Sequence, residues 1–196
     1  AASLIKLYIM GAVYEYYDSL LAANDASVLD SNLYSMITVS DNTAANNLVT
    51  FLGNGDPAAG MNVVNTFCSS HGFYDTHMGR LLLAPNDVDD NYTSVEDCGR
   101  FLTMIYYSDG MLTYPERMYD LLKQQQVLTK LPQGVRSEGG ARVANKTGEL
   151  SNVENDVAII YNAPKSDYII CVMSQNLNDT YSARNQIINL SNITYG

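Results

Sequence analysis

Ala2-Ser3-Leu4-Ile5-Lys6-Leu7-Tyr8-Ile9-Met10-Gly11-Ala12-Val13 has almost no polar face, which predicts a helix buried on all sides. Two polar residues interrupt its first turn, Ser3 and Lys6. Their i, i+3 spacing puts both side chains on one face, within touching distance. A lysine is rarely buried without a partner, because burial disfavours its charged form. Held beside a hydroxyl, such an amine becomes a proton acceptor near neutral pH, so the pair reads as nucleophile and base. A plainer reading exists. Ser-x-x-Lys arises by chance about once in a chain of this length, with Ser3 as an N-cap and Lys6 snorkelling to solvent. The rest of the chain has to choose between them.

The 196 residues are 46% hydrophobic and 16% charged, which predicts a globular protein with a real core, one domain or two intimately packed subdomains. A net charge of -10 and the lack of any basic cluster argue against a nucleic-acid partner. The opening apolar run is too short for a membrane span and contains Lys6. No basic region precedes it and Glu15 and Asp18 follow, so it does not read as a signal peptide. Cys68, Cys98 and Cys171 are scattered and odd in number. With only His71 and His77 beside them, they predict no metal site, and nothing in the chain calls for a cofactor.

Apolar periodicity predicts a first helix running to about Leu21, a second from near Ser31, and a break at Ser40-Asp41-Asn42. A helix over Ala44 to Leu52 follows, then one opened by Asp56-Pro57. Thr93-x-x-Glu96 reads as a capping box for a further helix, and Tyr114-Pro115 as the start of another. The pattern then changes. Arg142 to Leu150, Val153 to Asn162 and Tyr168 to Gln175 read as strands, with Asn162 to Ser166 as a hairpin turn. A closing helix spans about Tyr181 to Ile193. Helices first and sheet last predict an α+β fold, an antiparallel sheet covered by helices. It forms a single domain over 1–196. A mainly helical part, 1–135, carries Ser3 and Ser40, and the sheet with its closing helix, 141–196, carries Lys146.

Ser40-Asp41-Asn42 and Lys146-Thr147-Gly148 complete the chemistry. Either tripeptide alone is an ordinary polar turn or strand end. Ser-x-x-Lys, Ser-Asp-Asn and Lys-Thr-Gly in this order resemble the motif set of class A β-lactamases and penicillin-binding proteins. Tyr34 through Gly53, with Ile37 to Asn46 inside it, is similar to the corresponding segment of class A β-lactamases almost position by position. Pro85-Asn86-Asp87 and Asp90 resemble the end of that family's Ω-loop, with Arg80 as the salt-bridge partner.

The resemblance implies a β-lactamase/transpeptidase-like fold and an acyl-transfer site. Ser3 would become acylated, Lys6 would take its proton, and Ser40 would relay a proton to the leaving nitrogen. Asn42 would orient Lys6 and substrate. Lys146 would keep the site electropositive and Thr147, followed by Gly148, would bind a substrate carboxylate, with Arg136 or Arg142 assisting. The oxyanion hole would use the backbone N–H groups of Ser3 and Glu149. The implied substrate is a β-lactam or a peptidoglycan-like amide, the implied location outside the bacterial cytoplasm.

Three departures from the family pattern modify this expectation. The helix and two strands that precede the nucleophile in the family have no counterpart, so a preceding segment or a second copy is expected to cover the sheet edge. The stretch between Ser3 and Ser40 is about twenty residues short of the family pattern, which predicts a more open pocket. The Ω-loop glutamate that activates the deacylating water is missing between Arg80 and Asp90. Acylation with slow deacylation is therefore the leading expectation. The alternatives are a D-alanyl-D-alanine peptidase, an esterase and a non-enzymatic penicillin sensor.

Overall fold

The computed structural model describes residues 1–136 and 139–196. A 3-10 turn over Ala2–Leu4 runs into α1 (Ile5–Glu15), which is buried from Ile5 through Tyr14. The helix does not continue smoothly to Leu21. Tyr16 leaves helical geometry and a separate short helix, α2 (Tyr17–Leu20), follows where polar residues bring the chain to the surface.

α3 (Ala26–Thr38) starts five residues before the expected Ser31, because Asp25 accepts a hydrogen bond from Ser27 N at 2.8 Å and caps it. Asp41 caps α4 (Asn42–Leu52) by accepting from Ala44 N at 2.7 Å, and Asp56 with Pro57 opens α5 (Pro57–Ser70). The cap of α6 (Val95–Tyr107) is one residue out of the expected frame. Ser94 accepts from Asp97 N, while the Thr93 hydroxyl turns inward to Tyr8 OH at 2.8 Å and Thr76 Oγ1 at 2.9 Å. α7 (Pro115–Lys123) and the short α8 (Leu131–Gly134) lead to the sheet.

β1 (Arg142–Leu150), β2 (Val153–Tyr161) and β3 (Tyr168–Val172) form an antiparallel sheet in the order β1-β2-β3, and α9 (Thr180–Tyr195) closes the chain. β3 stops short of the expected Gln175 because side chains replace the ladder there. Ser174 Oγ donates to Glu154 O and accepts from Glu154 N, and Asn155 Oδ1 accepts from Ser174 N. Strand alternation sends Ala144, Val157, Ile159 and Cys171 toward the main core around α1. Val143, Ala158, Ile160 and Ile170 face Leu131 and Ile187 of α8 and α9. β2 is thus buried on both faces, which is why its second half, 157–161, reads as an apolar run. Among the described residues, no helix is long and apolar enough to cross a membrane.

Two backbone approaches fix the layers. β1 presses on the 3-10 turn at Gly148, where a Cβ would lie 3.0 Å from Ala1 O and 3.2 Å from Leu4 N. α5 crosses α4 at Gly60, where a Cβ would stand 1.8 Å from the Val49 carbonyl oxygen. A methyl group at Gly60 must push two helices apart, so Gly60→Ala should lower stability by about 1–3 kcal/mol. Urea denaturation measures this, and an unchanged midpoint would refute the close crossing.

Candidate active site

The N-terminal turn of α1 places Ser3 and Lys6 at the centre of the molecule. Lys6 is 0% exposed. Its Nζ lies 3.0 Å from Ser3 Oγ, 2.6 Å from Ser40 O, 3.1 Å from Ser40 Oγ and 2.7 Å from Asn42 Oδ1. The two shortest contacts are to carbonyl oxygens, which only accept. A neutral amine has two N–H groups for them and one lone pair left over, which must then face a hydroxyl. Burial favours that form: it lowers the Lys6 pKa to about 8, against the opposing pull of Asp41. The unfolded chain therefore binds the extra proton between about 8 and the ordinary 10.5, and this group's contribution to stability rises with pH through that window.

Ser40 reaches Lys6 through a strained turn. Its φ of 59° is left-handed, a region that non-glycine residues enter at a cost. The turn joins the end of α3 to the Asp41 cap of α4, and presents both the carbonyl and the hydroxyl of Ser40 to the amine. The hydroxyl also accepts from Lys146 Nζ at 2.9 Å. Lys146 projects from β1 toward the main core, is 0% exposed and donates to Thr147 O at 2.8 Å. Burial first, and then the neighbouring Lys6 charge, lower its pKa to about 7. Two ammonium groups on one hydroxyl oxygen repel, so one proton leaves the pair readily.

The end of β1 carries an ionic cluster absent from the sequence reading. Glu149 and Glu154 sit directly opposite each other, an arrangement that like charges disfavour. Fully buried Lys130 resolves it, donating to Glu149 Oε1 at 2.6 Å and Glu154 Oε2 at 2.9 Å, while Arg184 donates to Glu154 Oε1 at 2.7 Å. Buried Asp156 accepts from Asn145 Nδ2 and Leu131 N, and burial raises its pKa to about 7. Two acidic residues flanking a two-residue hairpin were the one sequence cue for this cluster. Lys130 gave none, because its partners lie far along the chain.

A cleft of about 380 Å³ opens over Ser3 and Asn42. One wall is the β1–β2 hairpin, Glu149 to Asn152, and the other is the loop carrying Leu82, Leu83, Ala84 and Asn86. That loop is clamped. Asn46 accepts from Leu82 N at 2.9 Å and donates to Leu82 O at 3.1 Å. Arg80 pairs with Asp90 at 2.7 Å and donates to Ala84 O at 2.8 Å. The carboxylates lining the cleft, Asp90 and Glu149, are thus engaged by Arg80 and Lys130.

Of the residues singled out from the sequence, Ser3, Lys6, Ser40, Asn42 and Lys146 meet in one hydrogen-bonded group. Thr147 joins it through its carbonyl, and Gly148 and Glu149 supply the backbone beside Ser3. Arg136 and Arg142 do not join them. Arg142 donates to Gly140 O and Ala141 O, four residues back along β1 from Lys146, roughly 13 Å at the rise of a strand. Arg136 lines a separate cavity with Pro164 and Tyr195. Arg142 is thus separated from Lys146 along the strand, and Arg136 lies at a cavity of its own. Among the described residues, no three His, Cys, Asp or Glu side chains gather to hold a metal.

The fold is similar to that of several solved structures. PBP-A superposes with a TM-score of 0.80 at 24% identity, covering 100% of this chain and 79% of that one. A β-lactamase from Sphaerobacter thermophilus gives 0.81 at 22% identity, covering 99% and 81%. The class A β-lactamase of the last common ancestor of Gram-negative bacteria gives 0.79 at 22%, covering 98% and 82%. No curated protein matches the sequence. The Beta-lactamase enzyme family matches residues 21–196, a span that includes Ser40, Asn42 and Lys146 to Glu149 and begins after Ser3 and Lys6. With that match over most of its length and the β-lactamase/transpeptidase-like fold around it, the chain belongs to the β-lactamase enzyme family.

Proposed function

We propose that this protein is a serine hydrolase acylated on Ser3 by β-lactams, and that it releases the acyl group slowly. The observation that carries the reading is the Lys6 amine, held 3.0 Å from Ser3 Oγ with its two shortest contacts on obligate acceptors. Ser3 Oγ attacks the lactam carbonyl carbon and its proton passes to the free lone pair of Lys6. The oxyanion is met by the N–H groups of Ser3 and Glu149, donors that matter most once charge has developed. The C–N bond then breaks and Ser40 hands its proton to the ring nitrogen, recovering one from Lys6. The product is an ester on Ser3 and a free amine on the opened ring. Lys146, beside Ser40, attracts the substrate carboxylate, and Asn42 holds Lys6 in place.

Hydrolysis of that ester needs a base for water. Asp90 and Glu149 are tied up in ion pairs, and the loop facing Ser3 offers Leu82 and Leu83. A long-lived acyl-enzyme follows, the behaviour of a penicillin-binding protein or D-alanyl peptidase rather than of an efficient β-lactamase. A variant of PBP-A is known as an acyl-enzyme complex with penicillin G, and the likeness in fold supports the same chemistry at Ser3. We assign the protein to the extracytoplasmic space, where such substrates occur.

Two experiments test this reading. Incubation with benzylpenicillin should add the mass of one intact drug molecule to the wild-type chain and nothing to Ser3→Ala. Rapid turnover with no accumulated adduct would contradict slow deacylation, and an adduct on Ser3→Ala would contradict the nucleophile. Leu82 is held by Asn46 within the cleft, so Leu82→Glu places a carboxylate near the ester. It should speed loss of the adduct by on the order of a hundredfold. An unchanged adduct lifetime would show that a base in this loop cannot reach the water.

A further inference from the structure

Glu149 and Glu154 stand opposite each other on β1 and β2. Ser174, beyond the end of β3, takes both backbone polar groups of Glu154. Its hydroxyl accepts from Glu154 N at 2.9 Å and donates to Glu154 O at 2.6 Å. In an antiparallel strand the N–H and C=O of one residue point to the same side. Those of Glu154 point toward β3, so those of Glu149 point away from β2, out of the free edge of the sheet. Glu149 lines the cleft with Ser3 at that edge. Its N–H is thereby free to meet an oxyanion, but no ladder bond ties the residue to β2. Two like charges directly opposite also push the strands apart.

A side chain supplies the missing tie. Lys130 is 0% exposed and donates to Glu149 Oε1 at 2.6 Å and to Glu154 Oε2 at 2.9 Å. Ionised partners out of reach of water make these strong bonds. The backbone beside Lys130 is fixed in turn. Leu131 N donates to Asp156 Oδ2 at 2.9 Å, and Ser191 Oγ of α9 donates to Leu131 O at 2.7 Å. We infer that Lys130 is a positioning residue for acylation. Its ammonium group holds the Glu149 side chain, and so keeps the Glu149 N–H aimed at the substrate's carbonyl oxygen. This rests on the reading of Ser3 as the acylated nucleophile. Fully buried, Lys130 acts through Glu149 and does not touch the substrate itself.

The test follows acylation by benzylpenicillin over a range of concentrations, read by intact mass. It yields a rate constant at saturation and a half-saturating concentration. Glu149→Gln keeps an oxygen for Lys130, whereas Glu149→Leu has nearly the same size and none. Both leave Lys130 paired with Glu154, so the cluster beneath the strand survives. Glu149→Leu should lose about tenfold in the saturated rate constant, a part of the hundredfold or more that follows complete loss of such a donor. Its half-saturating concentration should change less than about threefold, because the N–H acts in the transition state. Glu149→Gln should stay within about threefold of wild type in both. Lys130→Met should repeat the loss seen in Glu149→Leu. Equal saturated rate constants for the leucine and glutamine variants overturn the proposal. So does a loss confined to the half-saturating concentration, which would make Glu149 a substrate contact. If the wild type forms no adduct, the reading of Ser3 fails and this one with it. An adduct formed equally fast by every variant overturns the role of Lys130 alone.

Discussion

The contact between the Lys6 amine and its four oxygen partners holds the site together and sets its chemistry. Ser3, Ser40 and Asn42 come from three separate elements, the 3-10 turn, the α3–α4 turn and the first turn of α4. Each is drawn to one nitrogen atom that has no access to water. Removing water makes the charged form costly and the neutral form accessible, which is what the proposed role of Lys6 as a base requires. In the proposed reaction the largely apolar α1 is therefore part of the mechanism. Its burial supplies the desolvation that lowers the amine's proton affinity.

Around that centre, the second lysine raises the stakes. Lys146 shares Ser40 Oγ with Lys6, so the proton count of the site is set by a pair rather than by one residue. In the proposed reaction an arriving carboxylate would stabilise charge on Lys146 and leave Lys6 as the amine that gives up its proton. On the far side of β1, Lys130 performs a different task. It holds Glu149 and Glu154 in register, and its own desolvation is offset by those two carboxylates, with Arg184 as the second cation on Glu154. The strand end that carries the Glu149 N–H is thereby fixed from below, and Gly148 lets it lie against the Ser3 turn from above.

Much of this was legible in the sequence. β2 and β3 announced themselves through the β-branched content of Val157, Ile159, Ile160, Ile169, Ile170 and Val172. Asp56-Pro57 fixed the start of α5 because proline at the first helical position has a single physical meaning. Where the reading slipped, a side chain had taken over a backbone task. Asp25 began α3 early, Ser94 displaced Thr93 as the cap of α6, and Ser174 with Asn155 ended β3 before Gln175. Ser3, Lys6, Ser40, Asn42 and Lys146, which meet in one hydrogen-bonded group, could be singled out because local spacing and motif order carry them. Lys130, Asp156, Arg184 and Asn46 were not, since each acts through a partner distant along the chain. Arg136 and Arg142 were candidates only through the family resemblance, and no motif in this sequence fixes their distance from Lys146.

The pH dependence of Ser3 acylation tests the central role of the Lys6 amine most directly. The quantity to measure is the first-order acylation constant at saturating benzylpenicillin, where the bound carboxylate keeps Lys146 charged. It should rise about tenfold per pH unit below the Lys6 value and level off above about 8. A rate that stays flat from acid to alkaline pH would contradict a neutral lysine as the base.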